Sequence, residues 1–314
     1  MKKILITIVA LLATVISVFM VSLIYTPRFA TYDEQKKYAN EQYDAASNAG
    51  EAIFFYAPNI IVGEFSRLIF KKPAWTRAAK SYERLFRMDG ARAVEEADVW
   101  RGLGDSYWYL QKYDKALNAY RNELEGFKRK YFNKEYPEKA GVSRERIKIE
   151  EYAYVIRVQR AIAACYRDKK EYKKQLDEYL KILDYLPDLK ILDDHDEYRL
   201  FNETFQSIGK MYKIIFKDYD KAVETYQKMA KEFPFSIAEC YAEIFIGDTY
   251  LAKGDIEKAK AIYNEVIKKY KYPGSTAGYD TAESRLREID KGQVVAVDGV
   301  VYNIKNGKVT VRLI

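Results

Sequence analysis

Acid–base or metal chemistry would have to start from the single histidine, His195, which sits in the run Asp193-Asp194-His195-Asp196-Glu197. A metal or proton-transfer site needs a second histidine or other converging ligands. None is visible, so the run is expected to be a solvated acidic turn in which Asp193 or Asp194 caps the next helix. The two cysteines, Cys165 and Cys240, set no disulfide framework. They belong to different copies of the repeat described below, two copies apart, which should hold their Cα atoms beyond the roughly 7 Å that a bridge tolerates. Both are expected to be small packed residues, and no Cys-x-x-Cys or Cys–His spacing suggests zinc. No Gly-x-x-x-x-Gly-Lys loop, Gly-x-Ser-x-Gly elbow or His-Glu-x-x-His pair occurs. The residues argue against an enzyme and imply no catalytic residue, no metal and no cofactor.

Charge is the other chemistry on offer. The net charge of +7 is moderate, but Lys128 to Lys148 contains eight Lys or Arg against three Glu. Such a stretch suits a polyanion: anionic lipid heads, a polysaccharide or a nucleic acid. It lacks the regularly placed aromatics of a single-strand platform, which speaks against nucleic acid.

The elements that would position these residues come from a repeat. Its clearest copy has Trp100, Leu103-Gly104, Tyr107, a turn at Tyr113 to Lys115, then Ala116 and Tyr120. This spacing resembles the tetratricopeptide repeat, two antiparallel helices whose small residues permit close approach. Copies recur with Ile162-Ala163, Tyr166, Tyr179, Ile182 and Pro187; with Ile208-Gly209, Tyr212, Ala222, Tyr226, Met229 and Pro234; and with Ile246-Gly247, Tyr250, Ala259, Tyr263, Val266 and Pro273. The second of these carries one extra residue, placed between Phe216 and Asp220. A degenerate first copy has Phe65, Ile69, Ala78, Tyr82 and Leu85. The expected units are 59–92, 97–130, 156–189, 202–236 and 240–273, with a capping helix near 275–290 because a solenoid must cover its last open face.

The expected fold class is therefore all-α, a superhelical solenoid of about five helix pairs plus a cap, flanked by two other elements. At the start, residues 1–3 form a short tail and residues 4–25 an uncharged run. Twenty-two residues at about 1.5 Å each give roughly 33 Å, enough for a bilayer core of about 30 Å. The reading is an uncleaved transmembrane anchor, N-terminus inside, in a cytoplasmic (inner) membrane with the repeats periplasmic. Residues 26–58 would be a linker helix and a juxtamembrane apolar segment; its run Ile53 to Val62 either packs under the first repeat or touches the membrane surface. The solenoid would occupy 59–291, with the basic insertion at 128–148. At the end, residues 292–314 alternate apolar and polar around Asp298-Gly299 and Asn306-Gly307, strong two-residue hairpin signals. Pairing 297 with 300 and 305 with 308 builds a three-stranded antiparallel meander with one apolar face.

The resemblance implies a right-handed superhelix whose concave groove, lined by the first helices, holds a peptide or protein. The matching positions here are Arg67, Arg101, Asp105, Trp108, Tyr109, Arg157, Arg160, Arg167, Lys210 and Lys213. The asparagines that accompany a carboxylate clamp in some relatives are missing at these places. The sheet supplies a second candidate surface, Tyr302, Val309, Val311 and Leu313, because its last strand has no proline to block its edge. The functional expectation is a membrane-tethered scaffold, a subunit or assembly factor of a membrane complex, binding protein and not nucleic acid. The alternative is a binder of anionic polymer or lipid headgroups through the basic insertion.

Overall fold

The computed structural model describes residues 27, 29–48, 72–131, 144–186, 195–234, 236–270, 276–295 and 300–313. Among them no helix is long and apolar enough to cross a membrane. The longest, Arg144–Asp168, carries Glu150, Arg157, Arg160 and Arg167 along its length, and burying such charges in lipid is costly. This overturns the expected transmembrane helix and, with it, the single-pass inner-membrane location with periplasmic repeats. The run 4–25 on which that expectation rested lies outside the described residues, as do the apolar run 53–62 and residues 132–143 of the basic insertion.

The chain divides into two compact units, Met1–Glu171 and Tyr172–Ile314. The first contains α1 (Tyr32–Asn48), α2 (Lys72–Met88), the short α3 (Gly90–Glu95), α4 (Ala97–Tyr109), α5 (Tyr113–Tyr131) and α6 (Arg144–Asp168). Successive helices pack: α1 on α2, α2 on α4, α4 on α5 and α5 on α6. The helix α1, read from sequence as part of a linker, lies along α2. There the Tyr82 phenol donates to Asn40 Oδ1 at 2.8 Å and Tyr43 meets Trp75 edge-on at 5.3 Å.

The second unit contains α7 (Tyr172–Leu183), α8 (His195–Lys210) continuing into a π-helical segment Met211–Phe216, α9 (Tyr219–Glu232), α10 (Ile237–Lys253), α11 (Ile256–Lys269), α12 (Thr276–Asp290) and strands β1 (Gln293–Val295), β2 (Val300–Lys305) and β3 (Lys308–Leu313). Side chains of Asp218, Ser236 and Asp255 accept from backbone N–H groups three residues on and so start α9, α10 and α11.

The second helices share one buried stripe: Ala78, Tyr82 and Leu85 on α2; Ala116, Tyr120 and Glu123 on α5; Ala222, Tyr226 and Met229 on α9; Ala259, Tyr263 and Val266 on α11. Spacing of four then three residues keeps each set on one helix face. The turns between paired helices are also alike. In three of them an N–H reaches the carbonyl of the motif tyrosine five residues back: Lys112 to Tyr107 (2.8 Å), Glu171 to Tyr166 (2.9 Å) and Asp255 to Tyr250 (2.9 Å). The preceding residue, Gln111, Lys170 or Gly254, is left-handed, the usual end of a helix that closes its last carbonyls this way. In the copy with the extra residue, Asp218 N–H reaches Tyr212 six residues back at 2.9 Å, and Lys217 is left-handed. The insertion expected between Phe216 and Asp220 is thus absorbed inside the helix as the π segment, and the turn keeps its form.

The three strands form one antiparallel sheet in the order β1-β2-β3. The second hairpin has the expected register, with Lys305 opposite Lys308 and positive φ at Asn306 and Gly307. The first is shifted by one residue. Val294, in place of the expected Val295, pairs with Tyr302, and a one-residue slip exchanges the faces of a strand. Val294, Val300 and Tyr302 therefore enter one core with Ile244, Tyr263 and Ile289, and Ile304 and Val309 pack against it.

Candidate functional site

On α4, Arg101, Asp105 and Trp108 follow one another at helical spacing, and each is fixed by a partner. Asp105 accepts from the phenols of Tyr120 (2.6 Å) and Tyr43 (2.7 Å). The Trp108 indole donates to Asp168 at 3.0 Å, and Arg167 pairs with the same carboxylate at 2.9 Å. Tyr109 is different. It is 47% exposed, yet it stacks on buried Trp75 at 4.1 Å and 9° and meets Trp108 edge-on at 4.9 Å. The outcome is an exposed aromatic ring held in one orientation against two indoles.

Arg101 donates to Glu123 Oε1 at 2.8 Å, and the Tyr154 phenol donates to the same oxygen. Glu123 is fully buried and its Oε2 has no hydrogen-bond partner. Burial is the largest influence on its carboxyl, pushing it up to about 7 against the pull of the Arg101 guanidinium. A cavity of about 420 Å³ adjoins the pair, walled by Trp100, Phe127 and Tyr154. Sequence reasoning missed Glu123. The available signal was its position: it stands where the other second helices carry Leu85, Met229 and Val266.

Both units rest on the same contact between first and second helix. A Cβ added to Gly104, Gly209 or Gly247 would meet the ring of Tyr120, Tyr226 or Tyr263 at 2.6, 2.3 and 2.5 Å. In the last pair the phenol of Tyr263 donates to Asp248 at 2.6 Å, and buried Arg285 from α12 joins that carboxylate at 3.1 Å. A family model described as a tetratricopeptide repeat matches residues 75–131, and a second of the same description matches 203–236 and 246–275. The chain carries tetratricopeptide repeats.

No curated protein matches the chain. Among solved structures, it is similar to the apo form of the quorum sensor NprR from B. thuringiensis, at 17% identity over 82% of this chain and 67% of that one, with a TM-score of 0.40. It is also similar to a Rap protein complexed with competence and sporulation factor (17% identity, 71% and 55% covered, TM-score 0.38) and to BtubC from P. vanneervenii (13%, 74% and 90%, TM-score 0.40). The chain thus spans just over half of the Rap protein.

The repeats distribute the ten expected groove residues unevenly. In the first unit Trp108 meets Tyr109 edge-on and shares Asp168 with Arg167, while Arg157 is exposed and Arg160 half-buried. Arg101 and Asp105 are committed to internal bonds, so their role is to position α5. In the second unit Lys210 is half-buried, while Lys213 is 1% exposed with its ammonium 5.7 Å from the centre of the Tyr302 ring. Lys213 and Tyr302 belong to the core, where both side chains are buried. Arg67 lies outside the described residues. Both thiols are buried, and burial raises Cys165 to about 12 and Cys240 to about 11, which keeps them from acting as nucleophiles. Among the described residues no three His, Cys, Asp or Glu side chains gather as a metal site would need.

Proposed function

We propose that this repeat protein is a non-catalytic scaffold that docks a protein partner on the face of α4 around Trp108, Tyr109 and Arg167. The observation that carries the reading is Tyr109, an exposed aromatic held flat on a buried tryptophan. Aromatic rings and arginines dominate the energetics of protein interfaces, and a ring already ordered in the free protein loses little freedom on binding. The partner that fits is a segment with an apolar or aromatic anchor for Tyr109. The repeat family, whose members bind proteins and peptides through their first helices, supports the same reading.

A photo-cross-linking residue placed at position 109 tests it. It should trap one dominant protein far more efficiently than the same residue at exposed Ile237, and Tyr109→Ser should lower recovery of that protein while the circular dichroism spectrum and melting curve stay close to those of the parent. Equal, diffuse cross-linking at 109 and 237 would refute this docking face.

A further inference from the structure

The last strand of the sheet carries a second, separate surface. Its hairpin has a two-residue loop with Asn306 and Gly307 at φ 50° and 72°, the geometry in which the flanking pair, Lys305 and Lys308, exchanges both ladder bonds. Hydrogen-bonded and non-bonded pairs alternate along an antiparallel ladder. Lys308, Thr310 and Arg312 therefore direct their backbone groups to β2, and Val309, Val311 and Leu313 direct theirs outward. One observed bond agrees with this phase: the Ile304 N–H points away from β3 and reaches the Gly292 carbonyl at 2.7 Å. Among the described residues nothing pairs with that outer edge.

The side chains along the edge say what would cover it. Val309 and Val311 lie on the core face, which packs on α10, but Val311 remains 39% exposed, so the apolar face is unfinished at this margin. On the opposite face Lys305, Lys308 and Arg312 are exposed. No acidic side chain among the described residues pairs with them, and Lys305 stands directly across from Lys308, a like-charge juxtaposition that costs stability. A second copy of β3 would bring Lys308 and Arg312 against their own kind. We infer that the free edge of β3 accepts an extended segment of a partner protein in which acidic residues alternate with apolar ones, the apolar set extending the core over Val309 and Val311 and the acidic set neutralising Lys308 and Arg312. Backbone bonds would supply affinity and the alternating pockets the register. This site is independent of the face around Tyr109.

The full chain can be titrated with a fluorescent peptide of alternating glutamate and valine, its lysine–valine counterpart, and inorganic polyphosphate. The glutamate peptide should bind, and hydrogen exchange at Val309, Val311 and Leu313 should slow on binding. Val311→Pro removes an outward N–H and no ladder bond, a place where a strand tolerates proline, so it should weaken the glutamate peptide by about tenfold or more with the melting curve unchanged. Lys308→Glu with Arg312→Glu, which leaves the backbone intact, should reverse the preference toward the lysine peptide. Equal binding of the two peptides, or binding indifferent to Val311→Pro, would overturn the inference. So would polyphosphate binding as tight as the peptide in both parent and Val311→Pro, which would mean a basic patch alone, or a dimer in sedimentation that Val311→Pro dissolves, which would mean self-pairing. The Tyr109→Ser protein should bind the glutamate peptide like the parent, so the two sites can fail separately.

Discussion

Glu123 is the clearest case of a single side chain departing from its repeat. Three equivalent positions are apolar, and the acid is held by Arg101 and Tyr154 with one oxygen unpaired. Because burial raises its carboxyl from 4.5 to about 7, the folded chain retains a proton that the unfolded chain has already released between those values. Stability from this group is therefore full below that window, falls as pH rises through it, and is level above. Glu123→Gln keeps an acceptor for Arg101 but cannot ionise. The melting temperature of the parent minus that of the variant should drop between about pH 4 and about pH 8, as read by calorimetry; a constant difference would show that Glu123 does not titrate in this range. The cysteines lead to a simpler expectation. With both thiols buried and raised, neither should react with a thiol reagent near pH 8 until denaturant is added. Their packed role could be read from sequence because they fall among apolar residues at helical spacing. The role of Glu123 could not, because a charged residue on a helix is normally taken for solvated face, and only its comparison with Leu85, Met229 and Val266 marks it.

Helix pairs are held at a fixed distance by the glycine under each tyrosine ring. Gly209→Ala would place a methyl group 2.3 Å from the Tyr226 ring, which must then move into a packed core, and overpacking of this kind costs about 1 to 3 kcal/mol. Gly90 is the internal comparison, since nothing lies within 4 Å of an added Cβ; Gly90→Ala should be neutral or slightly stabilising by helix propensity. Thermal melts of the two variants should separate clearly, and similar values would deny the glycine its spacing role. The glycine–tyrosine pairs were legible because a small residue and an aromatic recur at nearly the same offset, one residue longer only in the copy with the insertion. The register of β1 was not. Val294 and Val295 are adjacent and equally apolar, so alternation cannot choose which of them faces the core; the packing of Tyr302 chooses Val294.

Across the molecule, repeat architecture localises the response to damage, because each repeat mainly contacts its neighbours. Arg285→Met should leave Asp248 buried without its cation, a loss of about 3 to 5 kcal/mol for breaking a buried pair. Hydrogen exchange should show faster opening through α10 to α12 and little change in the unit ending at Glu171. Uniform acceleration over both units would mean they unfold as one. The succession of helix pairs was readable at this scale, whereas the membrane expectation came from residues 4–25 alone and no helix among the described residues supports it. The π segment at Met211–Phe216 bears on the length of its repeat. One added residue in an α-helix turns everything beyond it by roughly 100°, which would swing Ala222, Tyr226 and Met229 out of the core. The wide turn takes up that rotation before Lys217, so α9 begins in phase. The extra residue there is silent to every later repeat, so this copy is longer than its neighbours and still keeps their rhythm.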